Sequence, residues 1–330
     1  MTDFNRPQIQ TIISSVVFSD GSSVEKRSSD MIIKNNNIGF SLDITNLGLE
    51  HATQVRDEVV KKLQAIPKVD KVSIVLTSNR QMQDSTKPEK SKLHIEGVKQ
   101  IVLVAAGKGG VGKSTVSALL AHKLTSEGKR VGIIDADIYG PSIPHILGLE
   151  GKPSLENDKM IPLKNYGISV NSIGFLTAPG SSVSWRGPMT SKALYQLLSL
   201  TNWGDLDYLI IDSPPGTGDI HLSLLQNYII DKVIMLTTPQ KISEIDVSRA
   251  INLYKKFNIP LAGIIENMSY YVNEETNQKI RLFSGNGGEL IAKNNAIPLL
   301  AQLPIMSELS ADCDAGQDLK KYSYLLKGVL

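Results

Sequence analysis

The sequence predicts an α/β fold in which a mostly parallel sheet is flanked by helices, preceded by a smaller α+β unit. Three observations predict it. From residue 98 onward, short apolar runs of strand length alternate with helical stretches, as in sheets whose parallel strands are joined through helices. Several of those runs end directly in polar or glycine-rich loops, where ligands bind in such sheets. The first 80 residues carry instead a hairpin signal, one helical stretch and one alternating run.

Length and composition bound what the chain can do. Its 330 residues suffice for one large domain plus a small one. With 35 basic against 33 acidic residues the charge is nearly balanced, so nucleic acid is not an expected partner. The single cysteine excludes an intramolecular disulfide and a zinc site of the Cys-x-x-Cys kind, and points to the cytoplasm. The longest apolar runs, such as Val233 to Leu236, fall far short of the ~20 residues of a membrane span, so no membrane partner is expected. The start, Met1-Thr2-Asp3-Phe4 with a short apolar patch at Ile12 to Val17, does not read as a signal peptide.

The first domain is read over residues 1–80. Asp30 to Ile33 and Ile38 to Ile44 form a hairpin whose turn is supplied by Asn35-Asn36-Asn37. Val55, Val59, Val60 and Leu63 recur at helical spacing before Ile66-Pro67 stops the helix, and Val69 to Leu76 alternates as a strand. Residues 81–97, containing Lys87-Pro88-Glu89-Lys90, are polar and without periodicity and read as a linker. The second domain is read over residues 98–330.

That domain opens on its most informative stretch. Ile101 to Ala106 reads as a buried strand, followed at once by Gly107-Lys108-Gly109-Gly110-Val111-Gly112-Lys113-Ser114, the G-x-x-x-x-G-K-[ST] pattern of a phosphate-binding loop. Val116, Leu119, Leu120 and Leu124 then recur at helical spacing, so the loop opens into a helix whose N-terminus points at it. Glycines let the backbone turn its N–H groups inward with no Cβ between main chain and phosphate. Lys113 neutralises the β and γ phosphates, and the Ser114 hydroxyl holds Mg²⁺.

Further strands are read at Arg130 to Ile134, Ser169 to Ile173, Tyr208 to Ile211, Lys232 to Leu236, Ala262 to Ile265 and Leu299 to Leu303. Two of them end in acids. Asp135-Ala136-Asp137 follows one, and Asp212-Ser213-Pro214-Pro215-Gly216 follows another, the carboxylate that can orient Mg²⁺-bound water beside a phosphate loop. After the next strand, Thr238-Pro239-Gln240 leads into a helix that Ser243 and Asp246 open in capping-box fashion. Asn267 closes a later strand, and the tail from Asp318 to Leu330 reads as a helix docking Leu319, Tyr322, Leu325 and Leu326 on the domain. The five histidines are scattered without ligand spacing, and Cys313 reads as a packing residue whose flanking aspartates raise its pKa.

The GKGGVGKS loop, with Lys108 one residue after the first glycine, resembles the deviant phosphate-loop ATPases of the Min, Par and arsenite-pump type. The form DSPPGTGD from Asp212 to Asp219 makes the chain most similar to the Mrp/ApbC iron–sulfur cluster carriers. The resemblance implies a P-loop NTPase fold, ATP and Mg²⁺ as cofactors, and a homodimer that transfers iron–sulfur clusters to apoproteins. It implies that Gly107, Lys108, Gly109, Gly110, Val111, Gly112, Lys113, Ser114 and Thr115 hold the nucleotide, with Pro239 and Asn267 beside base and ribose. Ser114 and, through water, Asp212 would organise the metal. The catalytic set it implies is Lys108, Lys113, Asp137 and Asp212, with Lys108 reaching the partner subunit's nucleotide and Asp137 near the attacking water. The first domain looks like the small domain that precedes many Mrp ATPases, without its Asp-Pro-Glu motif or cysteine. Trp185-Arg186-Gly187-Pro188-Met189 also resembles the family and carries no assigned chemistry. One departure matters most: Asn273 and Thr276 stand at the aligned positions of the family's Cys-x-x-Cys pair, so no iron–sulfur ligand is identified. A nucleotide-dependent scaffold and a Min- or Par-like positioning ATPase, neither binding a cluster, are the alternative readings.

Overall fold

The computed structural model describes residues 6–34, 36–45, 47–77, 92–138, 140–176 and 187–330. Asn35 of the hairpin turn, residues 81–91 of the linker, Tyr139, Trp185 and Arg186 lie outside the described residues. The chain divides into two compact units, Met1–Glu89 and Lys90–Leu330.

In the first unit the elements run α1 (Arg6–Ser15), α2 (Val24–Arg27), β1 (Ile32–Lys34), β2 (Asn37–Asp43), α3 (Leu49–Gln64) and β3 (Lys71–Thr77). β1 and β2 pair antiparallel, and β2 and β3 pair parallel. Ile38, Phe40 and Leu42 alternate inward from β2 onto Val55, Val59 and Leu63 of α3 and Ile9 and Ile13 of α1. The helix α1 was not expected, although Ile9, Ile12, Ile13 and Val16 recur at helical spacing behind Asn5 and Pro7.

The second unit runs β4 (Val98–Ala106), α4 (Lys113–Ser126), β5 (Val131–Asp135), α5 (Ile143–Ile146), β6 (Ser154–Glu156), β7 (Lys159–Ile161), β8 (Leu163–Asn165), β9 (Ile168–Ser172), α6 (Ile173–Leu176), α7 (Gly187–Ser199), β10 (Leu206–Asp212) and α8 (Asp219–Asn227). It continues through β11 (Lys232–Thr237), α9 (Lys241–Lys256), β12 (Leu261–Val272), β13 (Lys279–Ile280), α10 (Gly287–Asn295), β14 (Leu299–Ile305), α11 (Ser307–Asp314) and a 3₁₀ segment, Lys320–Leu326. The strands β14, β12, β11, β4, β10, β5 and β9 lie side by side in that order and all parallel, with β8 and β13 added antiparallel.

β4 shows why the sheet is central. Ile101, Leu103 and Ala105 face one apolar layer with α7, α8 and α9, while Val102, Val104 and Ala106 face the other with α4 and the C-terminal tail. A strand buried on both faces reads as a continuous apolar run. From β4 the chain crosses to β5, leaving room for β10 between them, and later returns β11 to the other flank of β4. The ends of β4, β10 and β5 therefore meet where the strand order reverses, the place at which open sheets build ligand sites.

Several expectations need correction. Ala262 to Ile265 is only the start of β12, which runs on to Val272 across an irregularity between Glu266 and Tyr270. Ile173 begins α6 instead of ending β9. The tail is a 3₁₀ segment, although Leu319, Tyr322 and Leu326 are buried as expected. Ser243 does not cap α9: that helix begins at Lys241, and the Ser243 hydroxyl lies 2.9 Å from the Thr238 hydroxyl.

Candidate functional site

The loop from Gly107 to Gly112 joins β4 to α4, and its glycines have separate reasons. Gly110 and Gly112 sit at φ +78° and +83°, the left-handed region that a side chain disfavours. A Cβ on Gly112 would also stand 2.4 Å from Asn267 Nδ2, and one on Gly107 would stand 2.6 Å from the Asp246 carbonyl carbon at the start of α9. The loop is thus pressed between β12 and α9. Asn267 fastens it further, its Nδ2 donating to the Val111 carbonyl at 2.9 Å.

Beneath the loop lies a buried polar cluster. Asp212, fully buried at the end of β10, accepts from Lys113 Nζ at 2.8 Å, Ser114 Oγ at 2.6 Å and Ser117 Oγ at 2.8 Å. The register sets Asp212 beside Asp135 of β5, also fully buried. Burial, and then the Asp212 charge, holds the Asp135 carboxyl well above the usual carboxylate range. Asp135 braces its own loop: its Oδ2 accepts from the N–H groups of Ser142 and Ile143 at 2.9 and 3.0 Å, and its Oδ1 from the Asp137 N–H at 3.2 Å. The loop after β10 is tied back to β4, with Ser213 Oγ donating to the Val104 carbonyl at 2.9 Å and the Gly216 N–H to the Ala106 carbonyl at 3.0 Å.

A cavity of about 590 Å³ opens over the loop. Lys108 to Thr115 form its floor. Asp137, Ser142 and His145, Asn267, Met268 and Phe283, Pro304 to Met306, and Cys313 and Asp314 of α11 line the cavity as well. The wall at His145 and Asp314 is locked by backbone contact: a Cβ on Gly316 would lie 2.6 Å from the Gly148 Cα, and Tyr166 Oη donates to the Gly316 carbonyl at 2.8 Å. The size and the mixture of glycine amides, one buried lysine and apolar walls suit a nucleoside polyphosphate. Ser114 Oγ is a hard oxygen ligand of the kind Mg²⁺ takes, and the Asp212 carboxylate to which it donates at 2.6 Å could hold a water of the ion's shell.

Residues 97–324 match the profile of the NUBPL iron-transfer P-loop NTPases, within the ParA group. The chain belongs to that family. It is 50% identical over 314 residues to an iron–sulfur cluster carrier protein of Rickettsia felis, covering 95% of both chains. It is 45% identical over 229 residues to the iron–sulfur cluster carrier protein of Escherichia coli K12, covering 69% of this chain and 62% of that one. Among solved structures, a nucleotide-binding protein from Archaeoglobus fulgidus in complex with ADP aligns at a TM-score of 0.64 with 34% identity, over 71% of this chain and 93% of that one.

In this P-loop NTPase most residues expected at the site share the one cavity. Lys108, Gly109, Gly110, Val111, Gly112, Lys113, Ser114, Thr115, Asp137 and Asn267 all line it. Gly107 lies behind them against α9. Asp212 lies underneath, reaching the cavity through two of the three donors it holds, Lys113 and Ser114. Pro239 stands apart from that lining: it is buried, and its carbonyl accepts from the Gly287 N–H at 3.1 Å, shaping the turn before α10.

Sequence reasoning missed Ser117, Met306 and Leu309. Ser117 had a visible signal, a hydroxyl three residues after Ser114 and within the otherwise apolar run from Val116 to Ala121. Met306 and Leu309 had none, since an apolar strand end and helix start look the same whether they face a core or a ligand. Cys313 is 5% exposed, and burial, with Asp314 and Asp312 adding, pushes its thiol up to about 11.

Asn273 and Thr276 form the tip of the β12–β13 hairpin. Asn273 Oδ1 accepts from the N–H groups of Glu275 and Thr276, both at 3.0 Å, and the Asn273 N–H donates to the Gln278 carbonyl at 3.0 Å. An amide that closes the turn on itself stands where the resemblance expects a metal-binding thiolate.

Proposed function

We propose that this protein is a dimeric, cytoplasmic ATPase whose nucleotide cycle serves iron–sulfur cluster transfer to acceptor apoproteins. Support comes from the Asp212 cluster beneath the glycine loop, together with relatives that are named cluster carriers over nearly their whole length. The loop amides and Lys113 would hold the β and γ phosphates of ATP. Ser114 would take Mg²⁺, and Asp212 would hold a water of its shell. Asp137 would orient the attacking water. Lys108 would neutralise charge at the partner's phosphates. Asn267 and the walls near Met306 would receive the base.

The reading is tested by calorimetry with ATP and Mg²⁺ followed by phosphate-release assays. Wild-type protein should bind ATP, Lys113→Ala should not, and Lys108→Ala should bind yet turn over slowly. A Lys108→Ala rate equal to wild type in a dimeric protein refutes the role given to Lys108. Absence of any adenine-nucleotide binding by wild-type protein refutes the whole reading.

A further inference from the structure

We propose that this chain makes no bond to iron and instead docks, through the β12–β13 hairpin and the residues that follow it to Phe283, onto a partner protein whose own cysteines hold the cluster. The proposal rests on the cluster-transfer reading above and concerns where the ligands come from.

The donor inventory comes first. Common clusters need four thiolates, or two thiolates with two imidazoles. The whole chain contains one cysteine and five histidines. Cys313 is buried in the wall of the nucleotide cavity, and His122 and His221 are fully buried. Among the described residues no group of three or more His, Cys, Asp or Glu side chains could hold a metal ion. A second copy of this chain would add the same histidines and a second Cys313, so self-association reaches at most two thiolates, each buried in the wall of its own nucleotide cavity, where among the described residues no metal-holding group forms. The thiolates must arrive on a different protein.

The hairpin offers that protein a surface. It keeps an ordered turn without any thiol, as the Asn273 bonds show. β13 is the terminal strand at its end of the sheet path, paired to β12 through Tyr271 and Val272. Ile280 and Leu282 are 42% and 57% exposed. Lys279 and Arg281 alternate with them, the Lys279 ammonium 4.3 Å over the Tyr270 ring and the half-exposed Arg281 guanidinium 4.0 Å from Glu289, its Nη1 donating to the Gly285 carbonyl at 3.2 Å. A cluster held on four thiolates is anionic, which these two cations complement; Glu274 and Glu275 lie beyond them at the turn. Phe283 ends this segment inside the nucleotide cavity, so the surface that meets the partner and the pocket that meets ATP share one short stretch of backbone. Every bond to iron stays with the partner's thiolates, and the nucleotide changes only how tightly that partner is held.

The test uses the full chain under anaerobic conditions. Reconstitution with iron and sulfide should leave wild-type protein with no more bound iron than Cys313→Ser, whereas stoichiometric iron lost in Cys313→Ser overturns the proposal. An Asn273→Cys/Thr276→Cys variant should gain visible cluster absorbance; a colourless variant overturns the assignment of this hairpin as the cluster-facing surface. For docking, the probe is a four-cysteine peptide carrying a [4Fe–4S] cluster, followed by sedimentation with ATP or ADP present. It should bind at least tenfold more weakly to Lys279→Glu/Arg281→Glu, and the alkylated, cluster-free peptide should not bind. No binding of the loaded peptide, or equal binding of both peptides, overturns the proposal. A fluorescent ATP analogue titrated into the same samples reports separately on the nucleotide site, so loss of that signal indicts the ATPase reading and not this one.

Discussion

Replacing Lys113 by methionine tests the buried cluster without any nucleotide present. Methionine fills nearly the same volume, so the substitution removes a charge and leaves little void. Asp212 then keeps its two serine hydroxyl donors but loses the ammonium at 2.8 Å, while Asp135 stands beside it in register. Removing one member of a buried ion pair costs about 3–5 kcal/mol, because the remaining charge has neither water nor partner. At about 2–4 °C per kcal/mol for a unit of this size, the midpoint should fall by roughly 6–20 °C in a thermal melt of the full chain. The second substitution decides the cause. Asp212→Asn in the Lys113→Met background removes the stranded carboxylate and should restore most of the loss, whereas Asp212→Asn alone should destabilise by leaving the ammonium uncompensated. A Lys113→Met midpoint within roughly 2 °C of wild type, or a double variant less stable than either single one, would refute the reasoning.

Gly112→Ala should weaken ATP binding and cost about 2–4 kcal/mol of stability, since its Cβ would sit at φ +83° and push Asn267 off the Val111 carbonyl; urea titration and calorimetry read the two effects. Burial pushes both His122 and His221 down to about 4, so the unfolded chain binds more protons than the folded one between pH 4 and 6.5. Stability should therefore fall on acidification through that window by up to about 1.4 kcal/mol per pH unit for each histidine, and His221→Phe should flatten the slope. Asp135 acts in the opposite sense: with its pKa raised on folding, its contribution is favourable at low pH and is lost as pH rises, so Asp135→Asn should steepen the acid loss. Lys123, 2% exposed with its Nζ donating to the Val329 carbonyl at 2.7 Å, pins α4 to the tail; Lys123→Met should lower the thermal midpoint, and hydrogen exchange should locate the loosening at residues 319–329.

How much was legible in the sequence follows from what each signal depends on. The strand β4 and the loop after it were readable because an apolar run, a fixed glycine spacing and an amphipathic helix agree over 24 residues, from Ile101 to Leu124. Asp212 was readable because it ends an apolar strand in a chain that already carries a phosphate loop, where a carboxylate can orient Mg²⁺-bound water. Of the two aspartates at the end of β5 the resemblance singled out Asp137, and the register sets them in different places, burying Asp135 beside Asp212 while Asp137 lines the cavity. The full length of β12 was hidden by Asn267-Met268-Ser269, where Met268 takes φ +56° and the strand resumes beyond the bulge. Such an interruption reads as an ending when only the one-dimensional pattern is available.

The close approach of Gly148 to Gly316 holds part of the cavity wall. The stretch bearing His145 and Asp314 is fixed main chain against main chain, with no side chain between to act as a cushion. Neither glycine can therefore take a side chain without parting the loop after α5 from the loop after α11, and with them the His145 and Asp314 that line the cavity there.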